Sequence, residues 1–202
     1  FKNIYIDKSV PYSNPYWLDK KSPIGVYTVD DPKMRNMPQS PAAFQAEFIL
    51  EVDSRKIAVM RDVIYKYVNP AQGEIRQPFA VIPPATMTFS KDMYLFANDK
   101  PEKFDVKVRA GKANVTGQLK LKVPAGWKVE PASVDIDIPL KLQEKNYSFT
   151  LTPPGETSKG TISASCIVEG VTCDKTLINI DYDHIPLQTI LRPAESVIVK
   201  VP

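Results

Sequence analysis

Lys103-Phe104-Asp105-Val106-Lys107-Val108-Arg109-Ala110 places an apolar residue at every second position, with charge between. Successive side chains of a strand point to opposite faces. This stretch therefore puts Phe104, Val106, Val108 and Ala110 on one face and the charges on the other. The alternation recurs in Leu119, Leu121 and Val123, then in Val134, Ile136, Ile138 and Leu140. It returns in Tyr147, Phe149 and Leu151, in Ile162, Ala164, Cys166 and Val168, and in Val197, Val199 and Val201. Pro-Ala-Gly, Pro-Pro-Gly and Glu-Gly separate these runs as turn signals. Short half-apolar strands at this spacing predict an antiparallel sandwich, each sheet with one buried and one wet face.

Outward from that core the signal thins. Phe44, Ala46, Phe48, Leu50 and Val52 form one candidate face. Ile57, Val59, Val63, Tyr65 and Tyr67 form another, broken by Arg61. The first forty residues are irregular and rich in Pro, Asn, Ser and Tyr. Four or five strands are legible before residue 85, whereas a complete sandwich takes about seven. The expected fold is all-β: two tandem Ig-like antiparallel sandwiches over 1–84 and 85–202, the first reduced or missing upstream strands. Ile82-Pro83-Pro84-Ala85 suits a stiff linker at that boundary. Tyr65-Lys66-Tyr67-Val68-Asn69-Pro70, leading to Ile75-Arg76-Gln77-Pro78, is faintly echoed by Tyr182-Asp183-His184-Ile185-Pro186 and Leu191-Arg192-Pro193. Nineteen prolines leave almost no window for a helix.

The 26 basic and 23 acidic residues are interleaved, giving a net charge of +3. A nucleic-acid surface needs a concentrated basic stripe, so no nucleic-acid partner is expected. No apolar run approaches the ~18 residues that span a membrane. The start at Phe1, with no leader pattern, suggests a processed or excised chain.

Catalytic chemistry finds few residues. His184 is the only histidine, so it can supply one zinc ligand where a catalytic site takes about three. It is also the only possible base for a serine triad, and no Gly-x-Ser-x-Gly elbow is present. Asp181-Tyr182-Asp183-His184 allows an Asp–His pair or a strand-end histidine bonded to backbone. Asp135 with Asp137, and Asp181 with Asp183, could be read as glycosidase carboxylates, but each alternates with apolar residues as solvent-facing positions do. Asn114-Val115-Thr116 and Asn146-Tyr147-Ser148 match the glycosylation sequon, relevant only in a eukaryotic secretory pathway. The expectation is a chain that is not itself an enzyme and takes no cofactor or metal.

Glu169-Gly170 reads as a two-residue hairpin turn that sets Cys166 opposite Cys173. Counting from the turn, that pair falls at a hydrogen-bonded position, wide between Cα atoms at about 5.5 Å. Two free buried thiols or a disulfide both fit. The remaining candidate is aromatic. Pro11-Tyr12-Ser13-Asn14-Pro15-Tyr16-Trp17-Leu18 brings Tyr12, Tyr16 and Trp17 together as glycan-stacking or domain-docking contacts. Trp127 reads as closing one end of the second core.

Leu121-Lys122-Val123-Pro124-Ala125-Gly126-Trp127-Lys128-Val129-Glu130-Pro131, followed by Phe149-Thr150-Leu151-Thr152-Pro153-Pro154, resembles the Ig-like domain found beside NPCBM modules and in α-galactosidases. Tyr16-Trp17-Leu18, Tyr65-Lys66-Tyr67-Val68-Asn69-Pro70 with Gly73-Glu74, and Tyr182-Asp183-His184-Ile185-Pro186 resemble the C-terminal region of PIG-L (LmbE-like) deacetylases of Bacteroidetes. The resemblance spans about residues 11–201. It implies a secreted or periplasmic bacterial protein whose β-sandwich tail accompanies a zinc-dependent de-N-acetylase domain. That domain's His-Pro-Asp-Asp motif has no counterpart here, so no catalytic residue carries over. The implied partners are the upstream catalytic domain of the same polypeptide and glycan, and the implied job is docking or spacing.

Overall fold

The computed structural model describes residues 9–20, 23–182, 184–185 and 187–202. Among the described residues it is all-β apart from two three-residue 3-10 helices, Tyr16–Leu18 and Pro32–Met34. The chain divides into two compact units, Phe1–Ile82 with Ile178–Ile190, and Pro83–Leu177 with Leu191–Pro202.

The first unit holds two hairpins. Strand β1 (Gln45–Val52) pairs antiparallel with β2 (Arg55–Asp62), and β3 (Ile64–Asn69) pairs antiparallel with β4 (Gly73–Pro78). Asp53 and Ser54 turn the first hairpin with φ of 48° and 62°. Both fall in the left-handed region that a tight two-residue hairpin turn demands. In the second, the Asn69 side chain accepts from the Ala71 amide at 2.8 Å and takes up a donor the turn leaves over. The long expected face Ile57–Tyr67 is therefore two strands, with the break at Val63. Each hairpin forms a separate two-stranded sheet. This unit thus presents ribbons where the sequence pattern suggested a reduced sandwich.

The second unit is a two-sheet sandwich. Its strands are β5 (Ala85–Phe89), β6 (Met93–Phe96), β7 (Glu102–Ala110), β8 (Val115–Lys122), β9 (Lys128–Glu130), β10 (Ser133–Ile138), β11 (Glu144–Thr152), β12 (Ser158–Val168) and β13 (Val171–Cys173). Strands β14 (Lys175–Ile180) and β15 (Gln188–Pro193) pair with each other, each divided between the two units, and β16 (Glu195–Lys200) completes the second. One sheet runs β10-β8-β12-β16-β6 with β13 added on β12; the other runs β5-β7-β11-β9. All pairings within these sheets are antiparallel except β16 with β6, which is parallel.

The core is the apolar face of each alternating strand. Phe104, Val106, Val108 and Ala110 of β7 are buried, as are Leu119 and Leu121 of β8, Ile136 and Ile138 of β10, and Phe149 and Leu151 of β11. Ile162, Ala164, Cys166 and Val168 of β12 join them. Phe104 stacks between Phe89 and Phe149, with ring centroids 6.1 and 6.0 Å away. Trp127 belongs to the same cluster. Its ring meets Phe96 edge-on at 5.2 Å, and its Nε1–H donates to Ser158 Oγ at 3.1 Å. The indole can thus be buried without stranding its donor.

Two expected faces differ. Leu140 lies beyond the end of β10, after Pro139, and is exposed. On β16 the buried side is Ser196, Ile198 and Lys200, and Val197, Val199 and Val201 lie on the other, only partly covered. The polar residues tolerate the inside because each is partnered. Ser196 Oγ donates to the Lys91 carbonyl at 2.9 Å. Lys200 Nζ donates to the Val201 carbonyl at 2.8 Å and pairs with Asp99 at 3.4 Å.

Candidate functional site

The aromatic segment is held by backbone anchors. Ser13 makes two bonds to Val81: its amide donates to the Val81 carbonyl and its Oγ accepts from the Val81 amide, both at 2.8 Å. Ser40 Oγ accepts from the Tyr16 amide at 2.9 Å and donates to the Asn14 carbonyl at 3.0 Å. With Pro15 before it, this fixes the turn of 3-10 helix that carries Tyr16 and Trp17.

Within that frame the rings are not coplanar. Tyr16 and Trp17 lie 4.9 Å apart at 89°, edge to face. The Tyr16 hydroxyl donates to the Met37 carbonyl at 3.0 Å, so Tyr16 braces the neighbouring loop. Tyr12 is the more exposed ring, at 38%. Trp17 joins Leu18, Lys20, Pro23, Gly25, Val26 and Tyr27 in lining a shallow concavity of about 240 Å³. Lys20 pairs with Asp30. A perpendicular pair offers one ring face to a sugar rather than a flat platform of two.

A second uncovered apolar surface lies on the β1–β2 hairpin. Residues opposite each other on an antiparallel ladder share a face. Phe48 faces Val59 and Leu50 faces Ile57, while Val52 ends the row beside Arg55. Phe48, Leu50, Val52 and Ile57 are all about half exposed, and Val59 is only partly covered. Glu47, Glu51 and Lys56 mark the opposite face, with Ile49 and Met60 among them. The alternation that revealed these strands could not tell a core face from an uncovered one, because burial depends on what lies across from it.

The other candidates are placed as follows. Asp135 and Asp137 project outward from β10 and are exposed. His184 sits in a turn, exposed, with its ring stacked 5.8 Å from that of Tyr182 at 20°. Asp183 lies outside the described residues, so the Asp183–His184 and Asp181–Asp183 pairings do too. Among the described residues no group of three or more His, Cys, Asp or Glu side chains could hold a metal ion, and no helix is long and apolar enough to cross a membrane.

Cys166 and Cys173 are directly opposite on the β12–β13 ladder, and both are free and buried. Cys166 Sγ donates to the Met87 sulfur at 3.6 Å, and Cys173 Sγ donates to the Val171 carbonyl at 3.8 Å. The contact with Cys173 and burial push the Cys166 thiol up, while the same contact lowers Cys173. No family model and no curated protein matches this chain.

Proposed function

We propose that this chain is a non-catalytic, Ig-like β-sandwich accessory region of a carbohydrate-processing protein of the PIG-L deacetylase-like kind, secreted or periplasmic in a bacterium. Its first unit docks the catalytic domain of the same polypeptide. The observation that carries this reading is the exposed row Phe48, Leu50, Val52 and Ile57 on a two-stranded ribbon. An isolated hairpin is marginal in water, and an uncovered apolar face of this kind is expected to be covered by a partner. The resemblance of residues 16–18, 65–70 with 73–74, and 182–186 to the C-terminal region of PIG-L deacetylases supplies the kind of partner.

The test is a binding titration between this chain and a deacetylase-like domain of the resembled family. Binding that Leu50→Glu weakens at least tenfold supports docking through the ribbon. Binding that Leu50→Glu leaves unchanged, or no binding at all, contradicts it.

The concavity beside Trp17 and Tyr27 favours a second reading, a carbohydrate-binding module. A glycan-array screen with a Trp17→Ala control separates the two. Selective binding lost in the variant supports the module, and a clean negative leaves the docking reading.

A further inference from the structure

We propose that Cys166 and Cys173 form an oxidisable dithiol, which closes to a disulfide across the β12–β13 hairpin under peroxide and reopens under excess thiol. Three features of the structure bring the pair to this chemistry.

The first is register. Glu169 and Gly170 have φ of 48° and 78°, a two-residue turn with both centres left-handed. Val168 pairs with Val171, Ile167 with Thr172 and Cys166 with Cys173. Alternation from the turn makes the cysteine pair a hydrogen-bonded one, within the Cα range a disulfide tolerates. The narrower non-hydrogen-bonded positions bring side chains closer, so a bond here forms with some distortion and is the more easily reduced.

The second is charge. Both cysteines are 1% exposed in an apolar core, with Met87 as the third sulfur. A dithiol and a disulfide are both neutral, so oxidation buries no ion. Two thiolates around a monovalent soft metal would leave a net negative charge in the core, which is costly.

The third is access. Strand β13 has three residues and is laddered only to β12. Cys173 is the inner end of that strand, and the Asp174 carbonyl beyond it accepts from the Ala194 amide at 2.8 Å, so peroxide reaches the pair through opening of the whole hairpin end, residues 168–173.

The steps balance. The Cys173 thiolate attacks one peroxide oxygen, the O–O bond breaks, and the departing hydroxide takes up a proton to leave as water. Cys173 is now a sulfenic acid. The Cys166 sulfur attacks the Cys173 sulfur, the S–O bond breaks, and hydroxide leaves with the Cys166 proton as a second water. Two thiols are oxidised and one peroxide is reduced.

The experiment treats the whole chain with hydrogen peroxide, quenches in denaturant, and reads intact mass and thiol alkylation. The expected result is loss of two hydrogens, both thiols blocked to alkylation, and recovery of both in excess reduced glutathione. Cys166→Ser and Cys166→Ala, with folding checked by circular dichroism, should stop at a Cys173 sulfenic acid that dimedone traps. Alkylatable thiols after peroxide, addition of oxygen in place of hydrogen loss, disulfide-linked dimers, or a bond that glutathione fails to reopen would each overturn the proposal. The wild-type result decides it even where neither variant folds.

Discussion

Leu50 and Ile57 face each other across the β1–β2 ladder, and both remain uncovered, at 52% and 51% exposure. A cross-strand aliphatic pair is the unit that stabilises a sheet when something packs on it. Here nothing in its own hairpin does.

A charge at this pair should therefore change association and leave the sandwich alone. Leu50→Glu is expected to shift the thermal midpoint of the second unit by less than the error of calorimetry, since exposed substitutions are usually worth within about 0.5 kcal/mol. Any self-association seen by sedimentation velocity should fall. A large drop in the sandwich midpoint would mean that Leu50 belongs to a core.

Inside the sandwich the sensitive position is a glycine. A Cβ on Gly117 would meet the Ile167 carbonyl oxygen at 2.2 Å, and a backbone atom of a central strand cannot yield. Gly117→Ala is expected to destabilise by about 2 kcal/mol or more, read by denaturant unfolding. At Gly160 a Cβ would meet the Pro124 ring at 2.4 Å, which also obstructs, but at a side chain. Gly160→Ala should cost less than Gly117→Ala, and the reverse order would count against the packing described for β8 and β12.

Trp127→Phe removes the donor to Ser158 and leaves a gap beside Phe96. The lost hydrogen bond and the unfilled volume together should lower stability by about 2 kcal/mol. Unfolding of the variant at unchanged midpoint would show that the indole is dispensable to the core.

Much of this second unit was legible in the sequence for a simple physical reason. Where a strand faces a packed core on one side only, period two appears directly in residue type, as in Phe104, Val106, Val108 and Ala110. The rule failed at β16. There valines occupy the outer face, and Ser196 and Lys200 are inside, because partners at Lys91, Val201 and Asp99 satisfy them. Residue polarity does not encode such partners. The cysteine register was readable from Glu169-Gly170, since turn length fixes pairing. The aromatic segment was readable as a cluster but not as a perpendicular pair, since ring angle is set by the Tyr16 bond to Met37 and the Ser40 anchor, far along the chain. The apolar row of β1–β2 looked like core because alternation reports a face without reporting its neighbour.

The β3–β4 hairpin carries a pH-dependent contact. Glu74 lies 2.5 Å from Lys66 and 2.9 Å from Arg76, and these cations hold its carboxyl below its usual 4.5. A lowered folded-state value means the contact is intact above the ordinary carboxylate range and is lost as pH falls through the depressed value. The carboxylate is exposed, so the effect on the hairpin should be small and should weaken with salt. An NMR titration should place Glu74 below the other glutamates at low salt. A normal value there would show that the pair does not persist in solution.

Docking through the first unit is tested most directly by amide hydrogen exchange over residues 45–62, in this chain alone and with a deacetylase-like domain added. Slowed exchange confined to β1 and β2, with the amides of β7, β8 and β12 unchanged, is the predicted result. Exchange over 45–62 that the added domain leaves unaltered would contradict the docking account.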